Sequence, residues 1–404
     1  MNQNMKHDIK NNEHFEVLFV DDEQRVLDGL RRQFRAKRSV WGMRFALSGK
    51  EAVGMLTERS ADVVVTDMRM PGMSGSELLS QIRERWPQTV RFVLSGQTDQ
   101  AELLEDIGCI HQFLQKPCDP DKLEQSITRT TLLASSIESS ELRKVVSGIQ
   151  SLPIVSQTYV RLVDALNDNL SDADTITRIV EEDVGLSVKI LQLVNSAFFG
   201  MPRKTVSVKD AIVLIGMKSL LQLVMSAKIF DTLGQDVMAH NFVTKIWASS
   251  SDIGASIKHM AKQSEIAKID HETVCLTGVL SHIGRAILAR TMPNEFKDVI
   301  RSATENETLL SDEEINAFGI SQECIGAFAL GIWGFSDSIV EAVAHQETPS
   351  LSEVTDVTHP LVWLHLARGR HQAGEYVDSM QLDSEWLEKL GITKQNIQQI
   401  RSAA

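Results

Sequence analysis

No apolar run in this 404-residue chain is long enough to span a bilayer, which excludes a helical membrane anchor within it. The first residues, MNQNMKHDIKNNEHFE, lack the apolar core of a signal peptide, so the expected location is the cytoplasm. Cysteine is scarce. Cys109, Cys118, Cys275 and Cys324 form no CxxC, so reduced thiols are expected and a disulfide scaffold is not. Positive charge is also in deficit. A formal net charge of −13 argues against a broad nucleic-acid surface. The one basic cluster, Arg31, Arg32, Arg35, Lys37 and Arg38, ends a predicted helix, where cations complement the dipole. No internal repeat and no low-complexity segment is evident. What remains is ordinary globular protein, 43% apolar and 24% charged, long enough for two or three domains.

From residue 16 the pattern alternates. FEVLFV, MRFAL, ADVVVT, VRFVLS and HQFLQK read as strands. Between and after them, DEQRVLDGLRRQFR, GKEAVGMLTER, SELLSQIRERW, AELLEDIG and a segment starting near Asp119 read as helices. Five strands alternating with five helices predict a doubly wound parallel sheet, whose ligands bind at the carboxyl ends of the strands. Those ends carry Asp21-Asp22, Thr66-Asp67, Ser95-Gly96 and Lys116-Pro117. Converging carboxylates repel one another and need a cation, and hard oxygen ligands favour Mg²⁺. A lysine and a hydroxyl on neighbouring strands complete a site for a phosphoryl group, with one carboxylate as nucleophile.

The pieces LFVDDE, VVVTDMRMPGMSG, FVLSG and FLQKPCDP make residues 16–132 resemble the receiver domain of two-component response regulators. The resemblance implies a flavodoxin-like fold with Asp67 as phosphoacceptor. It implies Mg²⁺ held by Asp21, Asp22, Asp67 and the backbone carbonyl of Arg69. It further implies phosphoryl contacts from Ser95 and Lys116, a cis Lys116-Pro117 bond and an aromatic switch at Phe113. The implied donor is a histidine kinase or phosphotransfer protein.

Beyond residue 132 the helix starting near Asp119 is expected to run on through TRTTLLASSIESSELRKVVSGIQ. Leu123, Ile127, Leu133, Ile137, Leu142 and Val146 form a loose stripe diluted by serines. A solvated linker helix is the favoured reading, and a dimerisation seam the alternative. After Pro153 the pattern predicts helices only. Ser171 is expected to cap the helix in DADTITRIVEED. SVKDAIVLIGMKSLLQLVMSAKIF and HETVCLTGVLSHIGRAILART are each expected to form one helix.

LPIVSQTYVRLVDAL, IVEEDVGLSVKILQLVNSAFFG, DAIVLIGMKSLLQL, FGISQECIGAFALGIWGF and IVEAVAHQ make residues 149–345 resemble the HDOD domain, a helical relative of the HD phosphohydrolases. Asp183, Asn195, Ser196, Gly216 and Trp333 stand at positions typical of that family. The expected layout is therefore a flexible tail at 1–13, a receiver at 14–132 and a helical linker at 133–148. An all-α HDOD output domain follows at 149–345, then a helical extension at 346–404 packed on it.

HD hydrolases carry an H-D-I-G-K stretch whose His-Asp pair holds a metal; here the stretch reads Ser281-His282-Ile283-Gly284-Arg285. Gln322 stands at a frequent ligand-histidine position, and His345 alone remains of a His-His pair. Losing several ligands together leaves no credible first shell. The expectation is a non-enzymatic output domain without its own cofactor. It would act on a downstream protein, such as an active HD-GYP-type enzyme or a kinase, with no nucleic-acid or membrane partner and with a homodimer as an option. Two alternatives stand beside it: a metal-dependent cyclic-dinucleotide phosphodiesterase or phosphohydrolase with an atypical site, and a DNA-binding regulator.

Overall fold

The computed structural model describes residues 15–95, 110–116, 118–135, 156–167, 171–195, 205–216, 220, 237–264, 266, 269–371, 378 and 380–392. The N-terminal unit runs β1 (Phe15–Val20), α1 (Gln24–Gln33), β2 (Trp41–Ala46), α2 (Gly49–Glu58), β3 (Val63–Asp67), α3 (Gly75–Arg85), β4 (Val90–Ser95), β5 (Gln112–Gln115) and α4 (Pro120–Ser135). The strands form one sheet in the order β2-β1-β3-β4-β5, every pair parallel. Val17, Leu18, Phe19, Val63, Val64 and Val65 are buried on both faces of the sheet. That is why these strands read as continuous apolar runs instead of alternating ones. The helix expected in AELLEDIG lies outside the described residues.

Local signals fix where the helices begin. Ser48 caps α2 by accepting from the Glu51 amide, and Ser74 with Glu77 forms a full capping box on α3. Part of the basic cluster makes contacts within the molecule, while Arg31, Arg32, Arg35 and Arg38 are exposed. Arg31 and Arg32 occupy the last turn of α1, Arg31 lies over the Phe45 ring at 4.6 Å, and Lys37 pairs with Glu124 at 2.7 Å.

The C-terminal region is helical: α5 (Ser156–Asn167), α6 (Ala173–Glu181), α7 (Val184–Val194), α8 (Val208–Ile215), α9 (Val237–Gln263), α10 (His271–Val279), α11 (Ile283–Thr291), α12 (Pro293–Asn306), α13 (Leu310–Phe318), α14 (Gln322–Ile332), α15 (Asp337–Ala344), α16 (Pro360–Arg368) and α17 (Ser384–Lys389). Asp183 opens α7, its carboxylate accepting from the Leu186 amide at 3.1 Å. The Asn195 side chain ties the end of α7 to Thr205 through two 2.7 Å bonds. α16 shares an apolar cluster with Ile253 and Ile257 of α9 and with Trp386 and Leu387 of α17. Among the described residues, no single helix is long and apolar enough to cross a membrane. Residues 136–148 of the expected linker at 133–148, the tail at 1–13 and Ser196 lie outside the described residues.

Three local expectations are corrected. The cap of α6 is Asp172, which accepts from the Thr175 amide, and not Ser171; either residue type can cap, and the carboxylate sits at the helix start itself. α8 stops at Gly216, whose φ of +76° ends the helical geometry expected to run on. The third correction concerns the stretch expected as one helix over 271–291. It breaks between α10 and α11, and His282 has non-helical dihedrals there. Two close crossings flank the break. A Cβ on Gly278 would lie 2.8 Å from Cα of Gly254 on α9, and one on Gly284 only 1.9 Å from the Gln322 carbonyl oxygen at the start of α14. The chain turns between them because one straight helix does not serve both neighbours.

Gly284→Ala therefore forces α11 and α14 apart. Urea unfolding followed by circular dichroism is expected to show a loss of at least about 2 kcal/mol. An unchanged midpoint would contradict this crossing.

Candidate functional site

The parallel register brings the chemistry of the N-terminal unit to one edge. Val20 pairs with Thr66, Asp67 with Leu94 and Ser95 with Gln115. The residues that follow β1 and β5, Asp21 and Lys116, therefore emerge beside Asp67 and Ser95. Lys116 Nζ lies 2.8 Å from Asp21 Oδ2 and 2.8 Å from Asp67 Oδ1. Asp21, almost fully buried, also accepts from the Glu23 amide at 2.9 Å. Asp22 is exposed, and one carboxylate oxygen from each of Asp21, Asp22 and Asp67 lies within 4.8 Å of the others.

Burial pushes the Asp67 carboxyl up from its ordinary value, and the hydrogen bond and charge of Lys116 only partly offset that. For Lys116, burial pulls the other way but is outweighed by the hydrogen bonds and charges of Asp21 and Asp67, so its pKa rises. The lysine thus stays charged at neutral pH and holds two acids that would otherwise repel each other.

The oxygen-only donor set fits a small hard cation. Asp21 is pre-positioned by its backbone bond and by Lys116, and Asp22 faces solvent at the open side. Arg69 is exposed on the loop leaving β3. That loop is held by Gly75 at the start of α3, whose amide donates to the Met68 carbonyl at 2.8 Å. A Cβ there would lie 2.1 Å from the Asp67 carbonyl oxygen, so Gly75 is needed for α3 to start this close to the acceptor. Gly75 was visible only as one letter of VVVTDMRMPGMSG. Ser95 ends β4 and Phe113 lies in β5 opposite Val93. The side chains of both, and Pro117, lie outside the described residues.

The second candidate centre is built differently. Ser281 and His282 are completely buried in the turn between α10 and α11. His282 Nδ1 lies 2.9 Å from Ser281 Oγ and 3.4 Å from Ser250 Oγ, while Nε2 has no partner. Burial holds the ring pKa well below its usual value, with the positive charges of Arg368 and Arg285 acting in the same direction, so the ring is neutral. Gln322 is also completely buried and its amide donates to the Ser281 carbonyl at 3.3 Å. His345 caps the end of α15. Its neighbour Gln346, and not His345, sends a side chain to the same carbonyl, at 2.7 Å. Among the described residues, the one group of three or more His, Cys, Asp or Glu side chains able to share a metal is Asp21, Asp22 and Asp67.

Charge fills the space around His282. Arg285, which stands at the lysine position of the H-D-I-G-K stretch, is completely buried and forks onto Glu314 at 2.6 and 2.9 Å. Arg368 reaches Glu347 at 3.1 Å and lies 3.9 Å from Glu323. Burial, reinforced by the charge of Glu323, pushes the Glu347 carboxyl up to about 7. Gln346, Glu323 and Arg285 each adjoin or belong to a stretch singled out in the sequence. Spacing alone did not reveal that they face one another.

The family model of the response regulator receiver domain matches residues 17–128, and that of the HDOD domain matches residues 152–349. The hydrogenase transcriptional regulatory protein HoxA of Cupriavidus necator is 35% identical over 143 residues, covering 35% of this chain and 29% of HoxA. HoxA of Bradyrhizobium diazoefficiens is 30% identical over 119 residues, covering 29% of this chain and 24% of that protein. The chain thus spans less than a third of either relative. Among solved structures, the MmoQ response regulator of Methylococcus capsulatus aligns over 62% of this chain and 98% of its own, at 19% identity and a TM-score of 0.44. The signal receiver domain of an HD domain-containing protein from Pseudomonas fluorescens is 28% identical over 29% of this chain and 94% of its own, with a TM-score of 0.27.

Two measurements follow from these geometries. Lys116→Met leaves Asp21 and Asp67 facing each other without a cation. Its stability in EDTA is expected to fall by roughly 1–3 kcal/mol, with Mg²⁺ restoring most of the loss; wild-type stability in EDTA would contradict the ion pair. For Glu347, an acid whose pKa is raised on folding stabilises the fold below its unfolded pKa. That stability is lost as pH rises through about 7. Thermal unfolding between pH 5 and 8 is expected to show this slope in the wild type and a flatter one in Glu347→Gln. Parallel profiles would place the proton elsewhere.

Proposed function

We propose, from the premise that this chain belongs to the response regulators and joins a receiver domain to an HDOD domain, that Asp67 is its phosphoacceptor and that its helical domain is a non-catalytic output. The observation that carries the reading is Lys116 bridging Asp21 and Asp67 at 2.8 Å beside the exposed Asp22. The donor is a phosphohistidine on a kinase or phosphotransfer protein. Its P–N bond breaks as a P–O bond to Asp67 forms, and the imidazole leaves neutral after taking up a proton.

Asp21, Asp22, Asp67 and the Arg69 carbonyl would hold Mg²⁺, which when bound neutralises charge on the transferred group. The protein's own part is positional. Gly75 and the β3–β4 register fix the Asp67 backbone, Asp21 orients Lys116, and Lys116 presents its ammonium to the acceptor carboxylate. Ser95 and Phe113 fill the roles of phosphoryl contact and switch residue.

The non-catalytic reading of the helical domain rests on its side chains. Ser281, His282, Gln322 and His345 are its degenerate HD positions. The His282 ring is neutral, with two serine hydroxyls at its Nδ1 and arginine charge beside it. Gln322 and Gln346 spend their amides on a backbone carbonyl. Neutral amides and a lone histidine next to cations bind a divalent ion poorly. The output is then a change in what the domain binds, on a signalling protein such as an active HD-type enzyme or the kinase itself. Residues 14–132 and 149–345 are the two functional units, with 133–148 between them and 346–404 as an extension of the second.

Incubation with a labelled small-molecule phosphodonor and Mg²⁺ is expected to put one acid-stable, alkali-labile phosphoryl group on the wild type and none on Asp67→Asn. Labelling of Asp67→Asn at the wild-type level would remove the assignment.

A further inference from the structure

The loop between β3 and α3 carries Arg69, and its two ends are tied. The Met68 amide donates to the Leu94 carbonyl at 3.3 Å, which extends the β3–β4 ladder one residue past Asp67. The Ser74–Glu77 capping box fixes the other end. Between these ties Met70 is buried while Arg69 faces solvent. Gly72 turns the chain with a φ of +83°, and the Met73 amide donates back to the Pro71 carbonyl at 3.1 Å.

Met73 gives this loop a support outside its own strand and helix. Its half-buried side chain lies against Gly49, the first residue of α2. A Cβ on Gly49 would stand 2.8 Å from both Cγ and Sδ of Met73 and 3.0 Å from its Cβ. Rotating the thioether away relieves the first two contacts. The third moves only with the loop backbone, so the seat constrains the loop as well as the side chain. Gly49 is in turn anchored beside the acidic strand end. Ser48 caps α2, and Ala46, at the end of β2, accepts from the Asp21 amide at 3.2 Å. The β2–α2 corner is thus a brace, bonded to the end of β1 on one side and packed on the acceptor's loop on the other.

We propose that Met73, seated on Gly49, is a positioning residue for the metal centre: it sets where the Arg69 carbonyl stands relative to the carboxylates of Asp21, Asp22 and Asp67. The proposal rests on those four groups being the ligands of Mg²⁺. Asp67 and Lys116 owe their places to strand register and do not depend on the seat. Loss of the seat therefore weakens cation binding and spares the acceptor.

Calorimetric titration of the full chain with Mg²⁺, paired with labelling by a small-molecule phosphodonor at saturating Mg²⁺, tests this. Gly49→Ala and Met73→Ala are each expected to bind Mg²⁺ about tenfold more weakly, with labelling at saturation within about twofold of wild type. Met73→Leu keeps an apolar branch against Gly49 and is expected to bind within about twofold of wild type. In the double variant, Met73→Ala removes two of the three close contacts and the added methyl fills part of the space. Its binding is expected to be no weaker than in either single variant. Should Gly49→Ala not fold, the contrast between Met73→Ala and Met73→Leu carries the test. Wild-type affinity in the folded single variants, losses that multiply in the double variant, or labelling at saturation that falls as far as affinity would each overturn the proposal. The ligand reading is read out separately: Asp22→Ala is expected to bind no Mg²⁺, and wild-type affinity there removes the centre itself along with its seat.

Discussion

Lys116 with its two carboxylates is the interaction on which the rest of the receiver's chemistry depends. Asp21 and Asp67 sit at adjacent strand ends because the β1–β3 register puts them there. Without a cation between them that register would place two acids in repulsion. A lysine from the edge strand solves the problem at 2.8 Å on both sides. It does so with a flexible side chain whose partners change when the acceptor's charge changes. The same ammonium that lets the sheet close at this edge is thus the group that would register a new phosphoryl.

The turn between α10 and α11 in the helical domain is built from neutral polar groups. Two close helix crossings, at Gly278 and Gly284, flank the Ser281-His282 turn. The Ser281 carbonyl collects the side-chain amides of Gln322 and Gln346. Around it Arg285–Glu314 and Arg368–Glu347 pair buried charges. Buried ion pairs of this kind specify packing more than they stabilise it.

The receiver was legible in the sequence because its site is made by strand ends. Each candidate site residue at a strand end directly follows or ends an apolar run, and parallel topology gathers all such ends at one edge. Asp21, Asp67 and Lys116 could therefore be grouped from order alone. The helical domain offered no such rule. LTGVLSHIGRAIL has unbroken helical spacing, and its break at 280–282 comes from tertiary crossings that leave only two glycines as a trace. Gln346 was hidden behind its neighbour His345, since a one-residue offset at a helix end decides which side chain turns inward. The contact of Arg129 with Phe335 and Asp337 spans more than two hundred positions and has no local signature at all.

The central claim is that the chain has one working oxygen-ligand centre, in the receiver, and a helical domain that does not act through a metal. Counting divalent ions on the purified full chain tests it most directly. After equilibration with Mg²⁺ or Mn²⁺, the account predicts one bound ion per chain in the wild type, lost in Asp22→Ala, with no turnover of cyclic dinucleotides in either. Ions that remain stoichiometric in Asp22→Ala, accompanied by such turnover, would contradict it.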